Sequence, residues 1–368
     1  MKKSTWGTLI TRVEPNNLVV RGYRLQDITR KGDLVSAAWL IVEGELPDEK
    51  TAGEMKDLFF KSAAAGLPEV AVLEDEDISR ILAKYMLCDE SLYRFRPVGD
   101  NSNARKTVYA LGRLTAYLAD TLGNLEVMKK VDPGLPVSSM VCAAVTGRQD
   151  KKAASMIESM IVASIDHGVT PPSAQATLIA ASVRADYEVA VSHGIGAITD
   201  VHGGAGEKAA EFFRACSRAE AGGDMELEDA TRKIIRSYLD EGRRIQGMGH
   251  RVHSQDPRRD ALWEKADALG ISSDCVAVSK MVRELFKEIK GIDLPVNVDG
   301  VIGAIIGDMG IDPRLAKALF VLGRVCGLSA HYFEEIITQP RMRRIVFGQA
   351  HYEGKPEREY PESRAAGE

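Results

Sequence analysis

The sequence predicts a mostly α-helical protein that opens with a short β-hairpin. Two observations carry this reading. Before residue 30 apolar residues alternate along the chain, as Leu9, Thr11 and Val13, then Leu18, Val19 and Val20 ahead of Arg21-Gly22-Tyr23. From Asp33 onward the apolar spacing becomes helical and strand signals nearly vanish. A third observation, that no repeat of fixed period is visible, excludes a solenoid.

In chain order, the hairpin is expected to turn near Pro15-Asn16-Asn17. Leu34, Ala37, Ala38, Ile41 and Val42 share one helical face, which Gly44 and Pro47 bring to an end. Further helices are predicted over 48–65, 76–88, 102–122, 137–147 and 151–166. Small residues dominate from Ser173 to Ile198, as suits a closely packed helix pair, and His193 within it reads as a packing or polar-network histidine. From Gly204 to Asp240 the helices turn strongly charged and amphipathic, with Gly222-Gly223-Asp224 as a loop. That shift marks entry to a smaller domain, expected over 205–315, while 1–204 and 316–368 form a larger one. The charged, proline-containing tail from Gly354 reads as loose.

Composition excludes several classes. The chain of 368 residues is long for one compact core, which fits two domains of unequal size. Its 45% hydrophobic and 27% charged residues are ordinary for a soluble globular protein. A net charge of −5 argues against nucleic acid as the main partner. No apolar run approaches the roughly 18 residues of a membrane span, and the N-terminus lacks the apolar stretch of a secretory signal. Five scattered cysteines without CxxC pairing read as reduced thiols, so the expected location is the cytoplasm.

Three stretches concentrate chemistry. GMGHRVHSQDPR, from Gly247 to Arg258, crowds histidines, arginines and an aspartate between glycines that allow close backbone approach. ITDVHGGAGEKAAEFF sets His202 beside a Gly-Gly pair, and LPVNVDGVIGAIIGDMG sets Asp299 between an apolar run and a glycine. Candidate residues in and beyond these stretches have plainer explanations when taken alone. The first could be a surface loop between helices, Asp166-His167 a helix C-terminus that complements the macrodipole, and Arg324 a surface ion pair.

Together and in this order, HGGA, G-x-GHRV with an arginine behind it, and NVD resemble the citrate synthase superfamily. The string RGY…DI…AAWLIVEGELP is similar to that family's N-terminal segment, so the likeness covers most of the chain. It implies a two-domain helical fold with the site in the cleft between domains. Carbon–carbon bond formation next to a thioester needs a carboxylate base, a donor at the thioester oxygen and a donor at the ketone. By the resemblance, Asp299 is the base, His202 the donor to the enolate, and His250 the group that polarises the keto oxygen. His167, Arg258 and Arg324 would hold the keto acid, and Gly247, Gly249 and Arg251 would contact coenzyme A. Lys280 and Lys290 are further cations that could reach its anionic tail. No permanently bound cofactor and no metal are implied, since the coenzyme A thioester is a substrate. The implied partners are acetyl-CoA or citryl-CoA and a 2-oxo acid, with a homodimer as the family rule.

Two departures from the family pattern shape the functional expectation. Aligning Tyr352-Glu353-Gly354 with the usual ending places Gln349 where an arginine normally reaches the neighbouring subunit, with Arg341, Arg343 and Arg344 nearby. NVDGVIG replaces the NVDFYSG of most citrate synthases, and IDHG, FVLGR and AHYFEE resemble citryl-CoA lyases and the C-terminal module of ATP-citrate lyase. The expected activity is therefore cleavage of citryl-CoA to acetyl-CoA and oxaloacetate, with citrate or 2-methylcitrate synthesis as the alternative. Two other classes compete with this reading: a metal-dependent hydrolase built from His167, His202, His250 and Asp299, which lacks any HExxH spacing, and a non-catalytic helical binding protein.

Overall fold

A computed structural model describes residues 6–221 and 225–342. Three short antiparallel strands come first, β1 (Thr11–Glu14), β2 (Asn17–Val20) and β3 (Tyr23–Arg24), in the order β1-β2-β3. The expected hairpin is present, with Val13 opposite Leu18. The third strand, two residues long, is too brief to signal itself by alternation.

Seventeen helices follow among the described residues. The first eight are α1 (Leu25–Lys31), α2 (Leu34–Glu43), α3 (Glu49–Ala64), α4 (Ile78–Cys88), α5 (Glu90–Arg94), α6 (Ser102–Thr121), α7 (Leu125–Lys129) and α8 (Val137–Thr146). Next come α9 (Lys151–Ala163), α10 (Pro172–Ser182), α11 (Tyr187–Gly196), α12 (Ala205–Ala221) and α13 (Leu227–Asp240). The last four are α14 (Pro257–Leu269), α15 (Asp274–Lys290), α16 (Val298–Met309) and α17 (Leu315–Thr338). The fold is thus mostly α, as expected.

Helix limits follow local chemistry. The Asp33, Asp48, Asp77 and Asp150 carboxylates accept from amides in the first turns of α2, α3, α4 and α9. Gly44 closes α2 in the left-handed conformation, which is why the sequence pattern stops there. The expected loop at 222–224 and the tail from Gly354 lie outside the described residues.

The core is organised along α17, which is buried on nearly all sides and packs on α2, α6, α9, α10 and α11. Its contact with α9 is close enough that a Cβ at Gly323 would lie 2.2 Å from the Ile161 carbonyl oxygen. That approach brings the next residue, Arg324, to the end of α9. Elsewhere α12, α13, α15 and α16 pack on one another, and α16 also meets α9, α14 and α17. His193 corrects the sequence reading: it is exposed on α11, and its Nδ1 contacts the Val189 carbonyl at 2.6 Å.

Gly300, at the start of α16, lies against the backbone of Gly247. A Cβ there would stand 2.4 Å from the Gly247 carbonyl oxygen. Gly300→Ala should therefore cost about 1–3 kcal/mol, because backbone rather than a flexible side chain must give way. Gly53→Ala, in α3 with nothing within 4 Å of the added carbon, should instead stabilise by about 0.5–1 kcal/mol. Denaturant unfolding of both variants checks the pair; a Gly300→Ala protein as stable as the parent would show that these segments can part freely.

Candidate functional site

Two of the three stretches become a single unit. The Gly249 amide donates to the Pro295 carbonyl at 2.7 Å, and the Asn297 amide donates to the Gly247 carbonyl at 3.0 Å. The Asn297 side chain donates to the Gly249 carbonyl at 2.8 Å and accepts from the Gly300 amide at 3.1 Å, capping α16. Asp299 consequently sits in the first turn of α16, where the helix dipole favours negative charge. The Gly249 N–H and C=O are both engaged within this unit. Its glycine character serves the turn, at φ +90.

Asp256, buried, ties this unit to α14. It accepts from the Arg258 Nε at 2.9 Å, the Arg258 Nη2 at 2.7 Å and the Arg258 amide at 3.1 Å, and also from the Val298 amide at 3.0 Å. Despite its burial, the Arg258 guanidinium holds Asp256 well below the usual carboxylate range. Two of the Arg258 donors are thus committed to Asp256, and Nη1 faces the Ala163 carbonyl at 3.5 Å.

Three imidazoles gather above this pair. His250 and His253 stack with ring centroids 4.3 Å apart, and His167 lies 5.2 Å from the first and 5.5 Å from the second. The His250 Nδ1 accepts the amides of Val252 and His253, at 3.1 and 3.0 Å. A neutral imidazole that accepts at Nδ1 carries its proton on Nε2, so His250 presents a donor there. Burial, then the nearby Arg258 and His253, pushes its pKa down to about 4 against the pull of Asp256. Burial together with Arg258 and Arg324 takes His167 to about 3. Both rings are therefore neutral at pH 7.

His202 approaches from the turn before α12. Its Nε2 lies 2.9 Å from the Ser173 hydroxyl, which also faces the Arg324 Nη1 at 3.5 Å. A neutral His202 that accepts the hydroxyl proton at Nε2 carries its own proton on Nδ1. Burial, then Arg324 and Arg251, lowers the His202 pKa to about 4. Arg251 itself is exposed. Of the other candidate cations, Lys280 pairs with Asp267 at 2.8 Å and Lys290 is exposed at the end of α15.

Arg324 and Asp299 complete the site. Arg324 is 2% exposed, touches the Ser164 carbonyl only at 3.4 Å, and has no ion-pair partner among the described residues. Burial lowers its pKa to about 10, although Asp166 and Asp299 act to raise it. Among the described residues no donor bonds the Asp299 carboxylate. Burial and Asp256 raise its pKa while Arg258 and Arg324 oppose them. Arg324 thus acts electrostatically on both Asp299 and His202, and Arg258 on Asp299, His250 and His167.

The structure therefore gathers His167, His202, His250, Arg258, Asp299 and Arg324 into one charge network. Arg341 is exposed, whereas Arg343, Arg344 and Gln349 lie outside the described residues. Sequence reasoning missed Asp256, His253, Ser173 and Asn16. The Asp-Pro-Arg order was a usable signal for a helix cap at Asp256, but nothing marked its contact with Val298.

One ring nitrogen from each of His167, His250 and His253 lies within 4.8 Å of the others, close enough to consider a metal ion. His202, which the hydrolase reading of the sequence would include, is not in that group. Asp256 acts on His250 and His253 ahead of Arg258, but the Arg258 fork closes that carboxylate, and Arg324 beside His167 has no ion-pair partner among the described residues, so the charge left open favours an anion.

Comparison with known proteins agrees with this architecture. A family model described as "Citrate synthase, C-terminal domain" matches residues 4–345. A citrate synthase of Haloferax volcanii is 27% identical over 372 residues, covering 94% of this chain and 92% of the relative. The structure of citrate synthase from Thermoplasma acidophilum, in ternary complex with carboxymethyl coenzyme A and oxaloacetate, superposes with a TM-score of 0.80 at 22% identity. That match covers 98% of this chain and 96% of the other. Citryl-CoA lyase from Hydrogenobacter thermophilus superposes more loosely, at a TM-score of 0.49 with 27% identity over 97% of each chain.

The lowered histidines set a pH dependence. An unfolded chain binds protons on these rings below about pH 6.5, whereas the folded chain resists until about 3 to 4. Below 6.5 the unfolded state therefore holds more protons, and stability falls as pH falls through this window. The melting temperature should be flat near pH 7–8 and drop steadily from about 6.5 toward 4, with a shallower slope in His167→Gln. Calorimetry across that range checks it; a flat profile would show that the folded rings titrate like free imidazole.

Proposed function

The chain belongs to the citrate synthase family, and from that premise we propose that this enzyme condenses an acyl-CoA thioester with a 2-oxo acid and hydrolyses the product thioester. Acetyl-CoA and oxaloacetate are the substrates of first choice. The observation that carries the reading is a buried guanidinium without a counter-ion, Arg324, acting on a carboxylate without a donor, Asp299. A buried charge left unpaired is costly, and a bound carboxylate would relieve it.

In this reading Asp299 takes the proton from the α-carbon of the thioester. His202, held through Nε2 by Ser173, donates from Nδ1 to the enolate oxygen. The enolate carbon attacks the keto carbon, and the His250 Nε2–H, fixed by two backbone amides on Nδ1, donates to the developing alkoxide. Arg324, His167 and the free edge of Arg258 hold the carboxylates of the oxo acid. Arg251, exposed beside His202, faces the coenzyme. We read 205–315 as the smaller unit that closes over these groups, and coenzyme A as a substrate rather than a resident cofactor.

Synthesis stands ahead of citryl-CoA cleavage for two reasons. A relative that matches along nearly its whole length carries the name citrate synthase. The NVDGVIG departure that favours a lyase in the sequence also has a packing explanation: Gly300 lies against Gly247, and Val301 and Ile302 are buried in the core. Those residues are shaped by neighbouring helices, so they say little about the direction of the reaction.

We also propose a homodimer, in a cytoplasmic setting that suits the free thiols of all five cysteines. Its support is an apolar strip along α10 and its C-terminal end, where Ile179 and Val183 are 48% and 61% exposed beside Val189 of α11. Sedimentation should report twice the 40.1 kDa chain mass, with Ile179→Glu shifting it toward the monomer. A monomeric parent at micromolar concentration would refute the dimer.

The deciding experiment supplies acetyl-CoA and oxaloacetate with a thiol reagent. Rapid, stoichiometric thiol release is expected; its absence together with cleavage of citryl-CoA would assign the lyase instead. In Asp299→Asn the turnover should fall on the order of a hundredfold or more. Exchange of acetyl-CoA methyl protons into heavy water should fall with it while coenzyme binding persists. Undiminished exchange would remove Asp299 from the role of base.

A further inference from the structure

His253 has no part in the chemistry above, yet it is the most buried of the three gathered imidazoles, at 2% exposure. Its Nε2 is buried with no hydrogen-bond partner among the described residues, as is the Nε2 of His167. Its Nδ1 accepts the backbone amide of Asn16 at 2.9 Å. Asn16 stands in the hairpin turn between β1 and β2 at φ 58. The Asn16 side chain donates to the Ser254 hydroxyl at 2.9 Å and accepts from the Gln255 amide at 2.9 Å. The hairpin turn thus grips residues 253–255 through backbone and side chain alike.

Acceptance at Nδ1 leaves the His253 proton on Nε2. A buried N–H without an acceptor is unfavourable, so a site that retains one is built for a group that arrives later. The neighbouring charges say what that group is. Asp256 acts on His253 more strongly than Arg258 does, but its carboxylate is closed by the Arg258 fork, whereas the buried Arg324 beside His167 has no ion-pair partner among the described residues, a setting that suits an anion better than a divalent cation.

We propose that His253 is a third imidazole donor to the bound 2-oxo acid, its Nε2–H pairing with a carboxylate oxygen and its tautomer held by the Asn16 amide. The identity of the ligand rests on the function proposed above; the donor and its orientation rest on the geometry alone. On this reading His250 serves the reacting carbonyl and His253 serves binding, and the N-terminal hairpin becomes a positioning element of the site.

The test is calorimetric binding of oxaloacetate to the intact protein and to two variants. His253→Phe keeps a ring in the stack but has no donor, and its dissociation constant should rise roughly ten- to hundredfold, as for loss of a hydrogen bond to a charged group. Coenzyme A affinity should stay unchanged, which a merely structural defect would not allow. His253→Gln returns an N–H near the Nε2 position and should recover most of the affinity. Nitrogen-15 spectra of the free protein should show His253 as the Nε2–H tautomer. Equal oxaloacetate affinity in the parent and His253→Phe overturns the proposal, as does a parent that binds no oxaloacetate. Titration with zinc ion alone provides a further arm. His253-dependent zinc binding that oxaloacetate does not displace would assign the rings to a metal and overturn it too. If oxaloacetate binds in a His253-dependent way but no thioester chemistry follows, the proposed function fails while this assignment stands.

Discussion

The site depends on one buried carboxylate. Asp256 accepts a forked pair of bonds from Arg258, caps α14 through the Arg258 amide, and accepts the Val298 amide at the start of α16. One side chain therefore sets where α14 begins, where α16 begins and which way the Arg258 fork faces. A desolvated charge pair is seldom a net source of stability, since taking both ions out of water offsets most of their attraction. Its value here is geometric. Breaking it would leave a bare guanidinium beneath three imidazoles and release the first turn of the helix that carries Asp299.

Much of this was legible in the sequence because it depends on local rules. The hairpin, the stop of α2 at Gly44 and the spans of α3, α4, α6 and α8 follow from alternation, capping and helical spacing. The elements α1, α5 and α7 are seven, five and five residues long, too short for periodicity to develop. His193 was misread because a helix rich in small residues looks buried all round, and only the packing of α10 and α11 shows which side stays open. His202, His250 and Asp299 could be named from their motifs, but motifs do not say what holds a ring. Ser173 for His202 and Asn16 for His253 are contacts across long chain separations, which no local pattern encodes; the two amides for His250 come from the turn just behind it, whose geometry no motif states.

The electrostatic arrangement separates charge from acid–base function. Cations are kept as arginines, which stay protonated even when burial lowers their affinity for the proton, while the histidines are kept neutral by the same burial and the same cations. Fixed positive charge can then attract carboxylates without consuming the donors needed at the reacting carbonyl. Asp299 sits under both influences: burial and Asp256 raise its pKa, and the two arginines oppose them. A base so poised takes up a proton more readily than a free aspartate would.

The backbone pairing of Gly247–Gly249 with Pro295–Asn297 joins two segments that lie far apart along the chain. The close contact of Gly300 with Gly247 and the bond from Val298 to Asp256 reinforce that join. The two segments therefore form one module of recombination. A chimera that takes residues 247–258 from a relative while keeping 294–300 would set a foreign loop against a surface cut for another. Exchanging both together would carry the joint across whole. For anyone transplanting specificity between members of this family, the natural unit of exchange is discontinuous.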